Sequence, residues 1–458
     1  MMARQLFGTD GIRGVAGEYP LDRTTVYAVG LALGRWANGH EVDPGNAQVL
    51  IGIDTRESGP WIAGCLAAAL AQEGVATHYA GLITTPGVAY LTKTGPFAAG
   101  IMVSASHNPY QDNGIKVFGH TGYKLPDEEE HSIEQVIFAL LAAAVIPKEQ
   151  TLEVESELDE NYVAHLCTSL PNGATFRGRA LKVVLDCGNG AATYLAPDLF
   201  SRLGAEVDAR GVQPDGRNIN LDCGALHVDG LVRIVRETGA DVGFAFDGDA
   251  DRCIAVTSSG RIADGDMMLL VCGRRLHEAG RLAAADGVPT IVATVMSNLG
   301  LEKVCAGDGI RLVRTPVGDK YVLEEMLRIG AHIGGEQSGH VIFHDYATTG
   351  DGMLSALRIV EAMVETGKTL DELTADFVSY PQTLKKVKVR SKPPLEDIAA
   401  VAGEIERAER ELGIEGRIVV RYSGTEPVAR VMIEGPSQGV IEAHADRIIQ
   451  AIQVELGA

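Results

Sequence analysis

The chain has 458 residues, too many for one hydrophobic core, and at about 150 residues per domain its length predicts roughly three domains. It is 46% apolar and 22% charged with a formal net charge of −21, which excludes a disordered chain and a general binder of nucleic acid or anionic membrane, while still allowing a local basic cluster to hold a phosphorylated small molecule. Only 5% of residues are aromatic, so Ala, Val, Leu and Ile must fill the cores, and 54 glycines point to many tight strand-to-helix turns.

In chain order, a strand is predicted over 48–53, ending in Asp54-Thr55-Arg56, with a helix over 61–72. A strand over 98–103 enters the loop Ser104-Ala105-Ser106-His107-Asn108-Pro109. Small hydrogen-bonding residues before a proline suit a plain turn. A serine at a strand end also suits a nucleophile or phosphate carrier, with Lys116 of Asn113-Gly114-Ile115-Lys116 as base or charge partner. Residues 127–144 carry helical periodicity, with acidic side chains in the first turn where the helix dipole favours them.

A strand over 181–185 opens into Asp186-Cys187-Gly188-Asn189-Gly190, which lacks the third glycine of a dinucleotide fingerprint because residue 193 is Thr. A strand over 241–246 runs into Asp247-Gly248-Asp249-Ala250-Asp251-Arg252. Three alternating carboxylates after a buried strand repel one another unless a hard cation joins them; an acidic solvated turn is the alternative. An EF-hand is excluded, since its sixth position would be Arg252 rather than Gly and its twelfth Ser258 rather than Glu. Strand material at 290–294 and 332–333 precedes Gly334-Gly335-Glu336-Gln337-Ser338-Gly339-His340, either a polar turn or a set of donors and acceptors for vicinal sugar hydroxyls. A helix over 395–412 and a strand over 417–421 lead to Arg421-Tyr422-Ser423-Gly424-Thr425-Glu426-Pro427, with Arg430 behind it. This is a β-turn or a phosphate cradle of free backbone amides, hydroxyls and guanidinium forks. No GxxxxGK[ST] occurs, so no P-loop ATP site is indicated.

The alternation predicts an α/β protein: three successive mixed-sheet α/β domains plus a smaller C-terminal α+β domain around a central cleft. Polar stretches at 147–157, 257–260 and 378–394 place the domains at 1–156, 157–258, 259–376 and 377–458. The seven cysteines, Cys65, Cys167, Cys187, Cys223, Cys253, Cys272 and Cys305, form no CxxC pair and fit buried thiols in a reducing compartment. Residues 1–13 show no signal-peptide core, and the longest apolar run, 138–146, is far short of the ~18–20 residues of a membrane span, so a cytoplasmic location is expected.

Taken in order, Ser106-His107-Asn108-Pro109, Asp247 to Arg252, Gly335 to His340 and Arg421 to Pro427 resemble the phosphoserine, metal, sugar and phosphate loops of the α-D-phosphohexomutase superfamily, over essentially the whole chain. The opening Phe7-Gly8-Thr9-Asp10-Gly11-Ile12-Arg13-Gly14, Gln337, Asp345 to Gly352 and Gly424 are similar to its bacterial branch acting on glucosamine phosphate. The chain departs from that branch at residues 222–229, at Lys320 where Arg is common, and at Tyr422 in place of a usual Pro.

The resemblance implies interconversion of glucosamine 6-phosphate and glucosamine 1-phosphate through a phosphoserine enzyme and a bisphosphate. Ser106 would carry the phosphoryl group, and Asp247, Asp249 and Asp251 would hold one Mg²⁺ per chain against it. Lys116 would accept the proton, Arg13 and Arg252 would stabilise charge in flight, and His340 would assist the other half-reaction. His107, Glu336 and Ser338 would bind the sugar, and Arg421, Ser423, Gly424, Thr425 and Arg430 the non-reacting phosphate. A sugar 1,6-bisphosphate would be intermediate and activator. The expected partner is a phosphorylated hexosamine, with no nucleic acid or membrane, in a monomer or homodimer. The rivals are a phosphoglucomutase or phosphomannomutase with the same mechanism, a non-catalytic sugar-phosphate sensor, and a metal-dependent phosphatase.

Overall fold

The computed structural model describes residues 6–8, 10–43, 45–170, 181–423 and 427–458. Its aliphatic runs form strands in four sheets. The first contains β1 (Ile12–Val15), β2 (Gln48–Ile53), β3 (Ala76–Leu82), β4 (Ala99–Val103) and β5 (Asp112–Gly119), in the order β1-β5-β4-β2-β3. The second contains β6 (Lys182–Asp186), β7 (Glu206–Arg210), β8 (Val242–Phe246), β9 (Cys253–Thr257) and β10 (Ile262–Ala263), in the order β10-β9-β8-β6-β7. The third contains β11 (Thr290–Thr294), β12 (Arg311–Thr315), β13 (Ile333–Gly335) and β14 (Val341–Phe343), in the order β12-β11-β13-β14. The last contains β15 (Gln382–Lys388), β16 (Arg417–Tyr422) and β17 (Val428–Glu434), all antiparallel, in the order β15-β17-β16.

The first three sheets repeat one topology that no sequence repeat announces. In each, a central strand pairs in parallel with a neighbour on either side: β2 with β3 and β4, β6 with β7 and β8, β11 with β12 and β13. The last parallel strand then turns back into an antiparallel partner, β4 into β5, β8 into β9 and β13 into β14. Those three turns are the serine, acid and Glu336 loops, each at the carboxyl end of a buried strand, where open α/β sheets place their ligands. Strands such as Val242–Phe246 and Thr290–Thr294 are buried throughout, as parallel strands covered on both faces must be.

One apolar core runs from the β2–β4–β5 face (Leu50, Met102, Phe118) through the second and third units, binding the three sheets together. The opposite face of the first sheet and the C-terminal unit each have a core of their own. Side-chain caps start the long helices: Asp22 accepts from Thr24 and Thr25 at Arg23–Ala37, Asp264 from Asp266 and Met267 at Gly265–Glu278, and Asp351 from Leu354 at Gly352–Thr366.

The strands expected over 48–53 and 290–294 are found with those bounds, and the helix over 61–72 begins two residues earlier, as Gly59–Gln72. Besides β5, which was not expected as a strand, two segments differ from expectation. The 378–394 stretch holds β15, an edge strand whose Lys385, Lys386 and Lys388 hide its period and guard it against edge pairing. The predicted 395–412 helix splits into a 3₁₀ turn, Leu395–Asp397, and a helix, Ala399–Leu412. All seven cysteines are free thiols. Among the described residues no helix is long and apolar enough to cross a membrane.

Candidate active site

The β4–β5 turn owes its shape to one arginine. Arg56 is fully buried and pairs with Asp54 at 2.9 Å. Its two terminal nitrogens donate to four carbonyls of the turn: Ser106 and Asn108 at 2.8 and 2.9 Å, Pro109 and Asp112 at 2.5 and 3.1 Å. Ser104 Oγ donates to Asp54 at 2.6 Å and accepts from the Ser106 amide at 2.9 Å, and Asn220 Nδ2 donates to the Ser106 carbonyl at 3.0 Å. Ser106 is thereby held at φ 53°, a strained conformation for a serine that persists because its neighbours over-determine it.

That conformation aims Ser106 Oγ at the acid loop, where it donates to Asp247 Oδ2 at 2.6 Å and lies 3.2 Å from His107 Nδ1. The two loops touch backbone to backbone, for a Cβ on Gly248 would come within 2.4 Å of the Ser106 carbonyl oxygen. Asp247, Asp249 and Asp251 are buried, each with a carboxylate oxygen within 4.8 Å of the others. Asp249 Oδ1 and Asp251 Oδ1 are buried without a hydrogen-bond partner. Orphaned hard oxygens converging beside a serine hydroxyl fit a divalent cation of the Mg²⁺ type. Burial, with Asp251 and Asp249 adding to it, pushes the Asp247 carboxyl well above the usual range. Asp251 is driven the other way: burial opposes its charge, but Lys116 and His340 outweigh burial.

Lys116 comes from β5, opposite Met102 of β4. Its ammonium lies 2.7 Å from Asp249, 3.2 Å from Asp10 and 3.5 Å from Asp251. Burial disfavours the charge, but these carboxylates raise the lysine above its ordinary range. In this arrangement the Lys116 ammonium is a charge partner of all three carboxylates. Asp10 is held charged against burial by Lys116, Lys124 and Arg13.

Beside the acid loop lies a cavity of about 450 Å³ whose walls come from the first three units. Arg13, His107, Arg252, Glu336 and His340 all line it. Burial, then Arg252 and Arg13, push His107 down to about 4, so its ring is neutral at pH 7. His340 accepts the Gly350 amide on Nε2 at 3.1 Å and turns Nδ1 toward Asp251 at 3.7 Å, bridging two loops. Glu336 Oε1 accepts from the Gly318 amide at 3.1 Å. Ser338 is exposed and is not part of the wall, and Gln337 donates to the helix cap Asp264 at 3.1 Å.

The fourth loop is not part of that wall either. Arg421 and Arg430 face each other across β16 and β17. Burial and then Arg430 lower the Arg421 guanidinium. Ser423 is buried, and its carbonyl accepts from Lys392 at 2.6 Å. Gly424 and Thr425 lie outside the described residues. Asp10, Arg56, Lys124, Asn220, Asp319 and Lys392 went unnoticed in the sequence as site residues. For Arg56 a signal existed, a charged pair directly after a strand that must be buried, and Asp10 stood inside the opening run 7–14; the others gave none.

The chain matches four consecutive family models: phosphoglucomutase/phosphomannomutase alpha/beta/alpha domain I over residues 4–143, domain II over 160–260, domain III over 264–380 and the C-terminal domain over 384–451. It is 57% identical over 456 residues to a phosphoglucosamine mutase of Solibacter usitatus, covering 100% of both chains. It is 49% identical over 463 residues to one of Koribacter versatilis, covering 99% of this chain and 98% of the other. In fold it resembles a phosphoglucomutase/phosphomannomutase family protein of Burkholderia thailandensis, with a TM-score of 0.79 at 24% identity and 100% coverage of both chains. A second likeness is to the Aspergillus fumigatus N-acetylphosphoglucosamine mutase in complex with GlcNAc-6P and magnesium, with a TM-score of 0.62 at 18% identity, covering 98% of this chain and 96% of that one.

Two outcomes follow from the geometry. Asp249→Asn removes one of three converging charges, so Mg²⁺ affinity measured by titration calorimetry is expected to fall about tenfold or more. Arg56→Ala leaves Asp54 buried without its cation and four carbonyls without their donor, and a loss of about 3–5 kcal/mol is expected in urea unfolding. A variant within about 1 kcal/mol of the wild type would show that the fork does not hold the turn.

Proposed function

The chain belongs to the phosphoglucomutase/phosphomannomutase family, in its phosphoglucosamine mutase branch, and on that footing we propose that it interconverts glucosamine 6-phosphate and glucosamine 1-phosphate by way of a phosphorylated Ser106. The observation that carries this reading is the strained Ser106 pointing its hydroxyl at a buried acid triad, 2.6 Å from Asp247.

In this reading Asp247, Asp249 and Asp251 hold one Mg²⁺ per chain, which when bound neutralises charge on the phosphoryl oxygens. The bond from Ser106 Oγ to phosphorus breaks as a sugar hydroxyl forms a new one. In its neutral form Lys116, which lies 2.7 Å from Asp249, takes that hydroxyl's proton. Arg13 and Arg252 face the transferring group from the cavity wall and lower the cost of its negative charge. Neutral His107 beside Ser106 Oγ is a hydrogen-bonding partner rather than a further cation. The sugar 1,6-bisphosphate so formed reverses its orientation and returns its other phosphoryl group to Ser106. His340 assists the proton on that half-reaction.

Glu336 and Ser338 bind the 3- and 4-hydroxyls. The far phosphate is anchored by Arg421, Ser423, Gly424, Thr425 and Arg430, and the facing arginines support that anchor. A separate core under the fourth unit supports closure of that unit over the cavity, which excludes water from a phosphoserine that would otherwise hydrolyse. The reading includes a bisphosphate activator, a cytoplasmic location, a monomer or homodimer, and unit boundaries near 156, 258 and 376.

Phosphorylated enzyme with Mg²⁺ is expected to show a kcat/KM for glucosamine 1-phosphate about tenfold or more above those for glucose 1-phosphate and mannose 1-phosphate. Preference for either neutral sugar overturns the substrate. Ser106→Ala is expected to lower kcat by roughly 10³-fold or more with an unchanged melting temperature. Near-normal turnover in that variant overturns the phosphoserine route.

A further inference from the structure

We propose that Asp319 reads the substrate's 2-ammonium and so separates amino sugars from their hydroxyl counterparts, an inference that rests on the glucosamine reading above. A glucosamine phosphate differs from a glucose phosphate by one positive charge at C2. A neutral acceptor serves an alcohol as well as an ammonium, so discrimination needs a carboxylate placed at that position.

Among the described residues four carboxylates line the cavity: Asp10, Asp251, Asp319 and Glu336. Asp10 is already shared by Arg13, Lys116 and Lys124. Asp251 belongs to the acid triad and faces Lys116 and His340. Glu336 accepts the Gly318 amide and is the hydroxyl reader of the proposed function. In Asp319, Oδ2 takes Lys124 at 2.6 Å, while Oδ1 has no hydrogen-bond partner among the described residues and the side chain remains 21% exposed.

Its position is fixed by the backbone. Gly318, at φ 134°, makes a bend that a side chain would strain, and it starts the helix Asp319–Ile329 with Asp319 as its first residue. The same glycine donates its amide to Glu336, so Asp319 and Glu336 are neighbours across one residue. Positions 2 and 3 of a hexose are neighbours too, and a carboxylate beside the hydroxyl reader is where an amine beside a hydroxyl would fall. Lys124, clamped between Asp10 and Asp319, keeps the carboxylate oriented. Burial opposes its ionisation, but Lys124 and His340 keep it charged. Lys320, one of the departures from the branch pattern, pairs instead with Asp127 and is not part of the cavity wall.

The test compares kcat/KM for glucosamine 1-phosphate and glucose 1-phosphate, with Mg²⁺ and phosphorylated enzyme, in wild type, Asp319→Asn and Glu336→Gln; Asp319→Ser replaces the asparagine variant if that one does not fold. The glucosamine-to-glucose ratio is expected to fall about tenfold or more in the Asp319 variant and to hold in Glu336→Gln. A general disturbance of the cavity lowers both substrates alike and leaves the ratio unmoved, which overturns the assignment. An equal fall of the ratio in Glu336→Gln also overturns it. A wild type without preference for the amino sugar removes the function and the inference together, whereas a wild-type preference that survives in the Asp319 variant removes the inference alone.

Discussion

The structure is organised around a buried charge problem. Asp10, Lys116, Asp249 and Asp251 meet within hydrogen-bonding or ion-pair distance, and Lys124 extends the chain of charges to Asp319. Isolated burial of any one of them would cost several kcal/mol. Each is tolerable only while the others are present, and they are carried by segments of the first, second and third units. Thr85 adds to the same link, its hydroxyl donating to Asp249 at 2.5 Å. Convergence of the three sheets is therefore a condition for burying the acid loop at all. The balance is still incomplete, since Asp247 is pushed toward its neutral form and two triad oxygens have no partner. A divalent cation is what that imbalance calls for.

Arg56 answers a different constraint. A β4–β5 turn that presents Ser106 at φ 53° leaves several carbonyls facing inward. Unpaired, they would relax the turn toward a cheaper conformation. One planar guanidinium satisfies four of them at once, which a lysine's point charge cannot do. Asp54 then fixes the arginine, and Ser104 fixes Asp54. The serine's direction is thus set by side chains that have no chemistry of their own to perform.

Local features were legible in the sequence and distant ones were not. The serine, acid and Glu336 loops each fall within a few consecutive residues after an apolar run, so composition and order alone located them. β5 was missed as a strand because Asn113 and Lys116 are buried in it, against the rule that such residues seek water. The surroundings of Lys116 were hidden for a related reason: its three counter-charges lie at positions 10, 249 and 251, and only the fold brings them together. Asp319 and Lys124, 195 residues apart, left no trace for the same reason. The repeated sheet topology was equally hidden, because parallel pairing is a relation between strands and not a pattern within one.

The fourth unit shows how a site can be divided without being loose. Its attachment to the third unit is polar and specific. Arg417 donates to the carbonyls of Val295 and Ser297 at 2.8 Å each and pairs with Glu434 at 2.5 Å, and the fully buried Glu434 also accepts the Leu299 amide at 3.3 Å. Such bonds fix the unit at discrete points, in contrast to the continuous apolar core that joins the first three sheets. Among the described residues the C-terminal unit has a core separate from that one. Meanwhile Arg421 faces Arg430, and Tyr422, another departure from the branch pattern, donates its hydroxyl to the Pro393 carbonyl at 2.7 Å, next to the lysine that holds Ser423. The end of β16 is thus braced within its own unit. A phosphate arriving there, as proposed, would meet guanidiniums on two paired strands whose end is already held in place.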